Sequence, residues 1–244
     1  MGWRILFPLY MSVGIVATLL LYATEIREGA ETEEKAEKQQ GVAAQFANAL
    51  RLLGNPAVLL CFLAIVCHVG MDVGINITAP KVLMERLGIT LETAGFATSL
   101  YFIARTAGCL AGGFVMVRMK EWTFLLASIV LMLVALSMLF LGAEQWVLYA
   151  SIVLLGLANS NPFSIIMARA LQAVPDKKNE ASGLMIMGLF GGTVFPLLMG
   201  AASDSFGQTG AIAVLALGAF YLLFSGLLTV LLGKLEKKLD YFRG

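Results

Sequence analysis

Charged side chains are scarce in this sequence. They make up only 14% of the 244 residues, whereas hydrophobic residues make up 59% and the mean hydropathy is +0.85. A soluble domain carries about a quarter charged residues, so this composition excludes a soluble globular domain and predicts an integral membrane protein. The net charge is only +1 and no basic run is present, so we expect no nucleic-acid partner.

Residues that bind metals or carry out catalysis are also few. The chain has three cysteines and one histidine. Cys61, Cys67 and Cys109 lie in apolar segments at spacings that suit neither a disulfide bridge nor a metal site, and we interpret them as packing residues. The sequence contains no nucleophile–base constellation and no phosphate-binding glycine loop. We therefore predict neither an enzyme nor an ATP-driven pump, and we expect no metal and no cofactor.

Long apolar stretches, by contrast, are abundant. Each is close to the ~20 residues that a membrane-spanning helix needs, and the first lacks the cleavage site of a signal peptide. The sequence therefore predicts an all-α membrane protein with seven spans. They are Ile5–Tyr22, Pro56–Ala79, Glu92–Met116, Trp122–Gly142, Gln145–Leu171, Ala181–Ser203 and Gly210–Leu232.

One connection is long, and it divides the chain. Its Glu- and Lys-rich part, residues 25–38, is typical of disorder. The part that follows places Phe46, Leu50 and Leu53 on one face, which predicts an amphipathic helix on the membrane surface. The alternative, an extension of the next span, conflicts with the helix-breaking residues 54–56. We expect a transmembrane helix (1–22), a charged linker (23–54), a six-helix lobe (55–233) and a tail (234–244).

The distribution of basic residues predicts the orientation. One set of loops carries most of them, and the positive-inside rule places that set in the cytoplasm. The linker and the C-terminus would then be cytoplasmic and the N-terminus outside. The cytoplasmic set is Arg27, Lys35, Lys38, Arg51, Arg118, Lys120, Arg169, Lys177, Lys178, Lys234, Lys237, Lys238 and Arg243, against Arg4, Lys81 and Arg86 on the other side.

The second apolar stretch contains a polar stripe. His68, Asp72 and Asn76 recur every fourth residue and share one helical face. A carboxylate inside a bilayer costs roughly 3 kcal/mol on insertion scales, so we expect Asp72 to face a bundle interior or a wet cavity. Gly70 and Gly74 are spaced for close helix packing. We interpret the stripe as the wall of a solute pathway, in which His68 either relays protons or only packs.

The third stretch places Arg105 in the middle of a helix. A guanidinium there needs an anion, carbonyl groups or water, and Asp72 is the most economical partner. Two interpretations remain: Arg105 binds solute or keeps Asp72 charged, or the pair only fixes helix packing. Gly108 and Gly112 repeat the close-packing spacing.

The fifth and sixth stretches carry further polar or helix-breaking residues. Asn159, Ser160 and Asn161 precede Pro162, which removes a backbone hydrogen bond. These amides are candidates to bind a polyol or to satisfy the freed carbonyl. The sixth stretch is also rich in glycine and broken by proline, which suggests hinging, and its hinge candidates are Gly192 and Pro196. Asp204 at its end is interpreted as a solvated acid.

Four stretches, residues 69–76, 105–113, 156–163 and 191–200, occur in an order that is similar to a known family. Together they resemble the C-terminal half of a major facilitator superfamily transporter, and they are most similar to the fucose–proton symporter and bacterial glucose/galactose transporter group. The resemblance covers about 58–232. It implies a six-helix C-terminal lobe, with residues 1–22 equivalent to the sixth of twelve helices and the N-terminal lobe missing.

The resemblance also implies a function. The protein would be a carrier in the inner membrane that moves a sugar or similar solute with protons by alternating access, in contact with lipid. Much of the proton coupling would lie on helices that the missing lobe supplies. From the residues themselves, we expect the solute to contact Asp72, Asn76, Arg105, Asn159 and Asn161, and protons to bind Asp72 and His68. We expect packing and hinging at Gly70, Gly74, Gly108, Gly112, Pro162, Gly192 and Pro196.

Two other classes remain. A seven-helix receptor or photoreceptor has the right helix count, but a retinal protein needs a lysine midway along its last helix, and residues 210–232 have none. A non-transporting scaffold, or a decayed gene product, is the other. Polar residues confined to stripes within the membrane speak against decay, because a relaxed sequence would scatter charges elsewhere.

Overall fold

The computed structural model describes residues 6–23 and 42–243, with side chains described for most of them as far as residue 231. The chain divides into two units, Met1–Gln45 and Phe46–Gly244. In the first, α1 (Leu6–Ala23) is an apolar helix whose side chains from Met11 to Tyr22 are exposed. The predicted disordered stretch, 25–38, lies outside the described residues.

The amphipathic segment predicted before the second stretch is helical. It forms α2 (Val42–Arg51), followed by a 3₁₀ turn, Leu52–Gly54. Phe46 and Leu50 are exposed, whereas Ala49 and Leu52 are buried in the core of the second unit.

Helix α3 (Pro56–Leu87) is the centre of the second unit. The side chain of Asn55 accepts a hydrogen bond from the Ala57 amide at 3.0 Å and caps the helix, and Pro56 occupies the first turn, where a missing N–H costs nothing. The helix ends at Gly88, whose φ of 64° is the left-handed conformation that glycine adopts without strain. The predicted end at Ala79 is thus about two turns short. Pro80 lies inside the helix, and Val82 and Leu83 after it are buried.

The next three predicted spans are also helical. The third begins with a short turn, α4 (Leu91–Ala94), and continues as α5 (Phe96–Met116), and the fourth is α6 (Glu121–Leu141). The fifth is broken into α7 (Gln145–Ala158) and α8 (Pro162–Ala173), with the break at the predicted proline.

The last part of the chain forms a helical hairpin. After a 3₁₀ turn (Pro175–Lys177), α9 (Lys178–Met187) leads through a second 3₁₀ turn (Gly188–Phe190) into α10 (Gly191–Arg243). Gly207 interrupts α10 with φ 61° and ψ −163°, a backbone conformation restricted essentially to glycine.

Contacts on both sides of Gly207 show that the chain reverses there. A methyl group added at Gly218 would lie 2.9 Å from the ring of Phe195, and one added at Gly74 would meet both Met199 and Leu215. Residues before and after Gly207 therefore lie side by side against α3 in an antiparallel arrangement. The reversal falls in the interval where the sequence predicts a loop, residues 204–209.

Two charged residues near the end of α3 hold neighbouring helices. The guanidinium of Arg86 donates hydrogen bonds to three carbonyl oxygens at the end of α6, those of Leu139, Phe140 and Gly142, at 2.6–2.9 Å. The carboxylate of Glu85 accepts a hydrogen bond from the backbone N–H of Gln208 at 3.2 Å, directly after the reversal. These groups satisfy backbone atoms that a helix end leaves without partners.

Within the described ranges all regular structure is helical, and five helical stretches are long and apolar enough to cross a membrane. The last of them, 55 residues long, contains the hairpin. The count of seven spans stays a prediction. The five stretches are Pro56–Leu87, Leu91–Met116, Glu121–Leu141, Gln145–Ala173 and Pro175–Thr229.

Candidate functional site

Asp72 lies at the midpoint of α3, and two further spans bring polar side chains to it at their own midpoints. Tyr101 and Arg105 lie near the middle of Leu91–Met116, and Asn159 lies at the middle of Gln145–Ala173. In a helix that crosses a bilayer, the midpoint is the position where an unsatisfied charge is most costly. The cluster of Asp72, Tyr101, Arg105 and Asn159, hereafter the polar cluster, therefore lies deep among the helices.

The carboxylate of Asp72 accepts three hydrogen bonds. The Tyr101 hydroxyl donates to Oδ1 at 2.5 Å, and Nδ2 of Asn159 donates to the same oxygen at 2.9 Å. Nη1 of Arg105 donates to Oδ2 at 2.6 Å and forms an ion pair with it. Hydrogen bonds that involve a charged partner are about twice as strong as neutral ones. These three donors hold the Asp72 carboxylate between two neighbouring spans.

The helix break before Pro162 places Asn159 in this cluster. The chain leaves helical geometry there, since Asn159 has φ −85° and ψ 3°. Nδ2 of Asn159 also contacts the Tyr101 hydroxyl at 2.8 Å, so the amide, the phenol and the carboxylate form a closed triangle. The Asn159 side chain is fully buried, and its Oδ1 has no hydrogen-bond partner among the described residues.

Glycines bring α5 and α7 close enough for these contacts. A methyl group added at Gly156 would lie 2.5 Å from the carbonyl oxygen of Tyr101 and 3.1 Å from the amide nitrogen of Arg105. One added at Gly108 would lie 2.8 Å from the Ser160 hydroxyl. Because the two backbones are in near contact, Tyr101 and Arg105 reach both Asp72 and Asn159.

The polar cluster is closed on one side and accessible on the other. Tyr101 and Asn159 are fully buried, whereas 17% of the Asp72 side chain and 27% of the Arg105 side chain are exposed. Arg105 carries five N–H groups. The hydrogen bonds of the described residues engage only its Nη1, on Asp72. The guanidinium therefore presents free donors at the exposed edge of the cluster.

His68 is buried one turn from Asp72 but does not bond to it. Only 1% of the residue is exposed, neither ring nitrogen has a hydrogen-bond partner among the described residues, and its ring lies 6.3 Å from that of Phe163. His68 lies four residues before Asp72 on α3, and Phe163 lies four residues after Asn159, in the first turn of α8. The structure thus places His68 beside the polar cluster, in an apolar contact.

Asn76 and Asn161 are predicted solute ligands that lie outside the polar cluster. Nδ2 of Asn76 donates to the carbonyl of Asp72 on its own helix at 2.8 Å. Nδ2 of Asn161 donates to the carbonyl of Gly108 at 2.9 Å and contacts the Ser160 hydroxyl at 2.7 Å. Asn161 uses both of its N–H groups in these bonds, whereas Asn76 keeps a second N–H, and its Oδ1 has no partner among the described residues.

The predicted packing and hinge residues lie at close approaches between helices. Gly70 faces the ring of Phe195, and Gly74 faces Met199 and Leu215. The two glycines of α3 therefore make room for side chains of α10, and not for the backbone of another helix as the spacing predicts. Gly112 lies against the Asn161 amide and Gly192 lies against Val73, while Pro162 begins α8 and Pro196 lies inside α10.

Sequence reasoning missed Tyr101. It precedes Arg105 by one helical turn and so shares its face, and this spacing is the signal that would have pointed to it. In the part of the chain that the structure describes, no group of three or more His, Cys, Asp or Glu side chains is placed to hold a metal ion.

The sequence matches a family model described as the Major Facilitator Superfamily over residues 61–242, which is well over half of the chain. The matched region contains all four residues of the polar cluster. No curated protein matches the chain.

Proposed function

Because the chain belongs to the major facilitator superfamily, we propose that it moves a sugar or a similar small polar solute across the inner membrane, coupled to protons, by alternating access. At the coarser level, it is a multi-pass, all-α membrane protein of a transporter family. The observation that carries the proposal is the polar cluster, an ion pair with two neutral partners midway along three spans.

The cost of the ion pair supports a functional role. Replacing a buried ion pair with apolar residues of similar volume is often neutral or stabilising, so packing alone gives little reason to keep Asp72 and Arg105 in lipid. The exposed edge of the pair supplies a different reason. A solute with hydroxyl groups would find charged hydrogen-bond partners there, in surroundings where such bonds are strong.

The proposed site comprises Asp72, Arg105 and Asn159, with Tyr101 as a positioning residue behind them. Asp72 is the group proposed to exchange protons, and the nearby His68 is proposed to assist. Asn161 would reach the solute only after giving up the backbone carbonyl that it now binds, whereas Asn76 keeps a second N–H donor while its first stays on the Asp72 carbonyl.

We further propose that this chain supplies one lobe of the carrier, with 1–22 as the helix that joins it to a second lobe. The seven-span count, the cytoplasmic position of the linker and C-terminus, and the helix motions at Pro162, Gly192 and Pro196 belong to the same proposal. Reading the coding sequence upstream of Met1 tests it. A continuous frame with five more apolar helices would support it, and a stop codon followed by a start signal would speak for a half-transporter that needs a partner.

Uptake measurements test the function itself. Cells that express the joined protein would be given a panel of labelled hexoses, deoxyhexoses and hydroxylated acids, with and without an inward proton gradient. Accumulation of at least one solute that collapses with the gradient is the expected result. Uptake equal to that of cells without the protein, across the panel, would overturn the proposal.

A further inference from the structure

At its exposed edge the polar cluster offers a solute more donors than acceptors, because the unpartnered Oδ1 of Asn159 is buried. A carboxylate has about four acceptor positions, and three of those on Asp72 are taken by Tyr101, Asn159 and Arg105. The guanidinium of Arg105 uses one nitrogen on Asp72, and the described residues leave Nε and Nη2 without a protein partner. The group that faces a solute is therefore a cation with free N–H donors.

Among the described residues, the anion that pairs with the Arg105 guanidinium is Asp72. The titratable side chains beside Asp72 are Tyr101 and Arg105, which donate to its carboxylate, and His68, which lies one turn away on α3 without a bond to it. The residues of α10 that lie against α3 around Asp72 include Gly192, Phe195, Met199, Leu215 and Gly218, and none of these is charged. A proton added to Asp72 would thus leave Arg105 without an anion in a membrane interior.

We propose that the solute carries a carboxylate, and that this carboxylate replaces Asp72 as the partner of Arg105 when Asp72 is protonated. The proton comes from the aqueous phase and forms an O–H bond on Asp72, while the Arg105 N–H exchanges the Asp72 oxygen for an oxygen of the solute. The site stays neutral before and after the exchange. A planar guanidinium and a carboxylate form paired hydrogen bonds, and the neutral acid of Asp72 keeps an oxygen for Tyr101 and Asn159.

This inference rests on the proposed transport function and narrows its substrate class to hydroxylated acids, such as the acid forms of sugars. It also gives one proton for each anion as the expected ratio. A neutral sugar would leave Arg105 paired with Asp72. It would accept hydrogen bonds only from the N–H groups of Arg105 that Asp72 does not use.

A cysteine reports on the site. Cys109 is exposed and lies one turn from Arg105 on α5, so a solute at Arg105 would shield it. Cys61 and Cys67 are half-buried and are replaced by alanine to leave Cys109 as the sole thiol. The measurement is the rate at which N-ethylmaleimide labels Cys109 in the full chain in lipid nanodiscs. At each pH, the labelling rate with solute is divided by the rate without solute.

The probes are matched pairs: glucose with gluconate, and galactose with galactonate. We expect at least one acid to slow labelling about fivefold at pH 5.5 and less than twofold at pH 8, and we expect its neutral partner to have no effect. In Asp72→Asn, which mimics the protonated acid, the acid should protect at both pH values. In Arg105→Gln it should protect at neither. Because Asp72→Asn gains a response, misfolding cannot imitate the expected result.

Each contrary outcome is informative. Equal protection by the neutral sugar and the acid would overturn the carboxylate inference while supporting solute binding at this site. Protection by an acid that survives in Arg105→Gln would overturn it as well. If no sugar and no acid slowed the labelling of Cys109 in Asp72→Asn at either pH, the inference and the solute site would both be overturned.

Discussion

The helix α3 carries charged residues in two places, and it uses them in opposite ways. At its midpoint, Asp72 binds side chains of two other helices, including the charged Arg105. Near its end, Glu85 and Arg86 bind backbone groups of α10 and α6. Side-chain partners can exchange a proton or a ligand, whereas the carbonyls and amides of a helix end cannot.

The two groups of charged residues on α3 have different roles. The charges near the end of α3 satisfy groups that every helix end leaves free, so their role is explained by stability. The charges at the midpoint pair with each other and serve no helix end. We therefore expect substitutions at the midpoint to act on transport and substitutions near the end to act on folding.

The largest effect is expected for Arg105→Gln. The variant loses the cation and the free N–H donors that the solute is proposed to contact. We expect uptake to fall about 100-fold, because two hydrogen bonds to a charged group contribute about 3 kcal/mol together and each 1.4 kcal/mol is tenfold in affinity. Initial uptake rates, normalised to the amount of protein in the membrane, check this. The matched control is Arg86→Gln, for which normalised uptake should stay within about twofold. Equal losses in the two variants would break the comparison.

Arg86→Ala should lower the stability of the fold while leaving the polar cluster intact. It removes hydrogen bonds from a charged group to three carbonyl oxygens, and we expect the free energy of unfolding to fall by about 2 kcal/mol. Thermal unfolding in detergent measures the change. An unchanged unfolding temperature would mean that water satisfies those carbonyls equally well.

Gly207→Ala tests the hairpin of α10. An alanine at φ 61° and ψ −163° is strained, and we expect a loss of about 1–3 kcal/mol. Gly200→Ala on the same helix is the control, because a methyl group there meets nothing within 4 Å and should be neutral or slightly stabilising. If both variants unfolded at the same temperature, the reversal at Gly207 would be in doubt.

Glu85→Ala should have the smallest effect. It removes one acceptor from an exposed helix start, a change that costs about 1 kcal/mol. Glu85→Gln keeps an oxygen acceptor and should lose less. A larger loss in Glu85→Gln than in Glu85→Ala, measured by the same thermal unfolding, would contradict a capping role.

Much of the fold follows from the sequence, because membrane-spanning length and apolar composition are local properties. Where the structure differs from the prediction, a tertiary contact determines the observed structure. The apolar stretch ends at Ala79 in the sequence, yet α3 continues to Leu87, and Val82 and Leu83 beyond Pro80 are buried.

Part of the candidate site is also predictable from local sequence properties. Asp72 and Arg105 stand out because a charge in an apolar run is costly wherever it points, so their pairing can be foreseen. The amides of Asn76 and Asn161 are equally polar in sequence, but the choice between a ligand and a nearby carbonyl depends on helix geometry. Tyr101 is hidden because an aromatic residue in a membrane helix carries no cost that marks it.

The central claim is that the ion pair at the midpoint of α3 serves transport. Uptake by Asp72→Ala in the joined protein, compared with Asp204→Ala at an exposed acid near the hairpin, tests it most directly. The account predicts that Asp72→Ala loses uptake about 100-fold at equal protein level, while Asp204→Ala matches the parent. Unchanged uptake in Asp72→Ala would contradict the account.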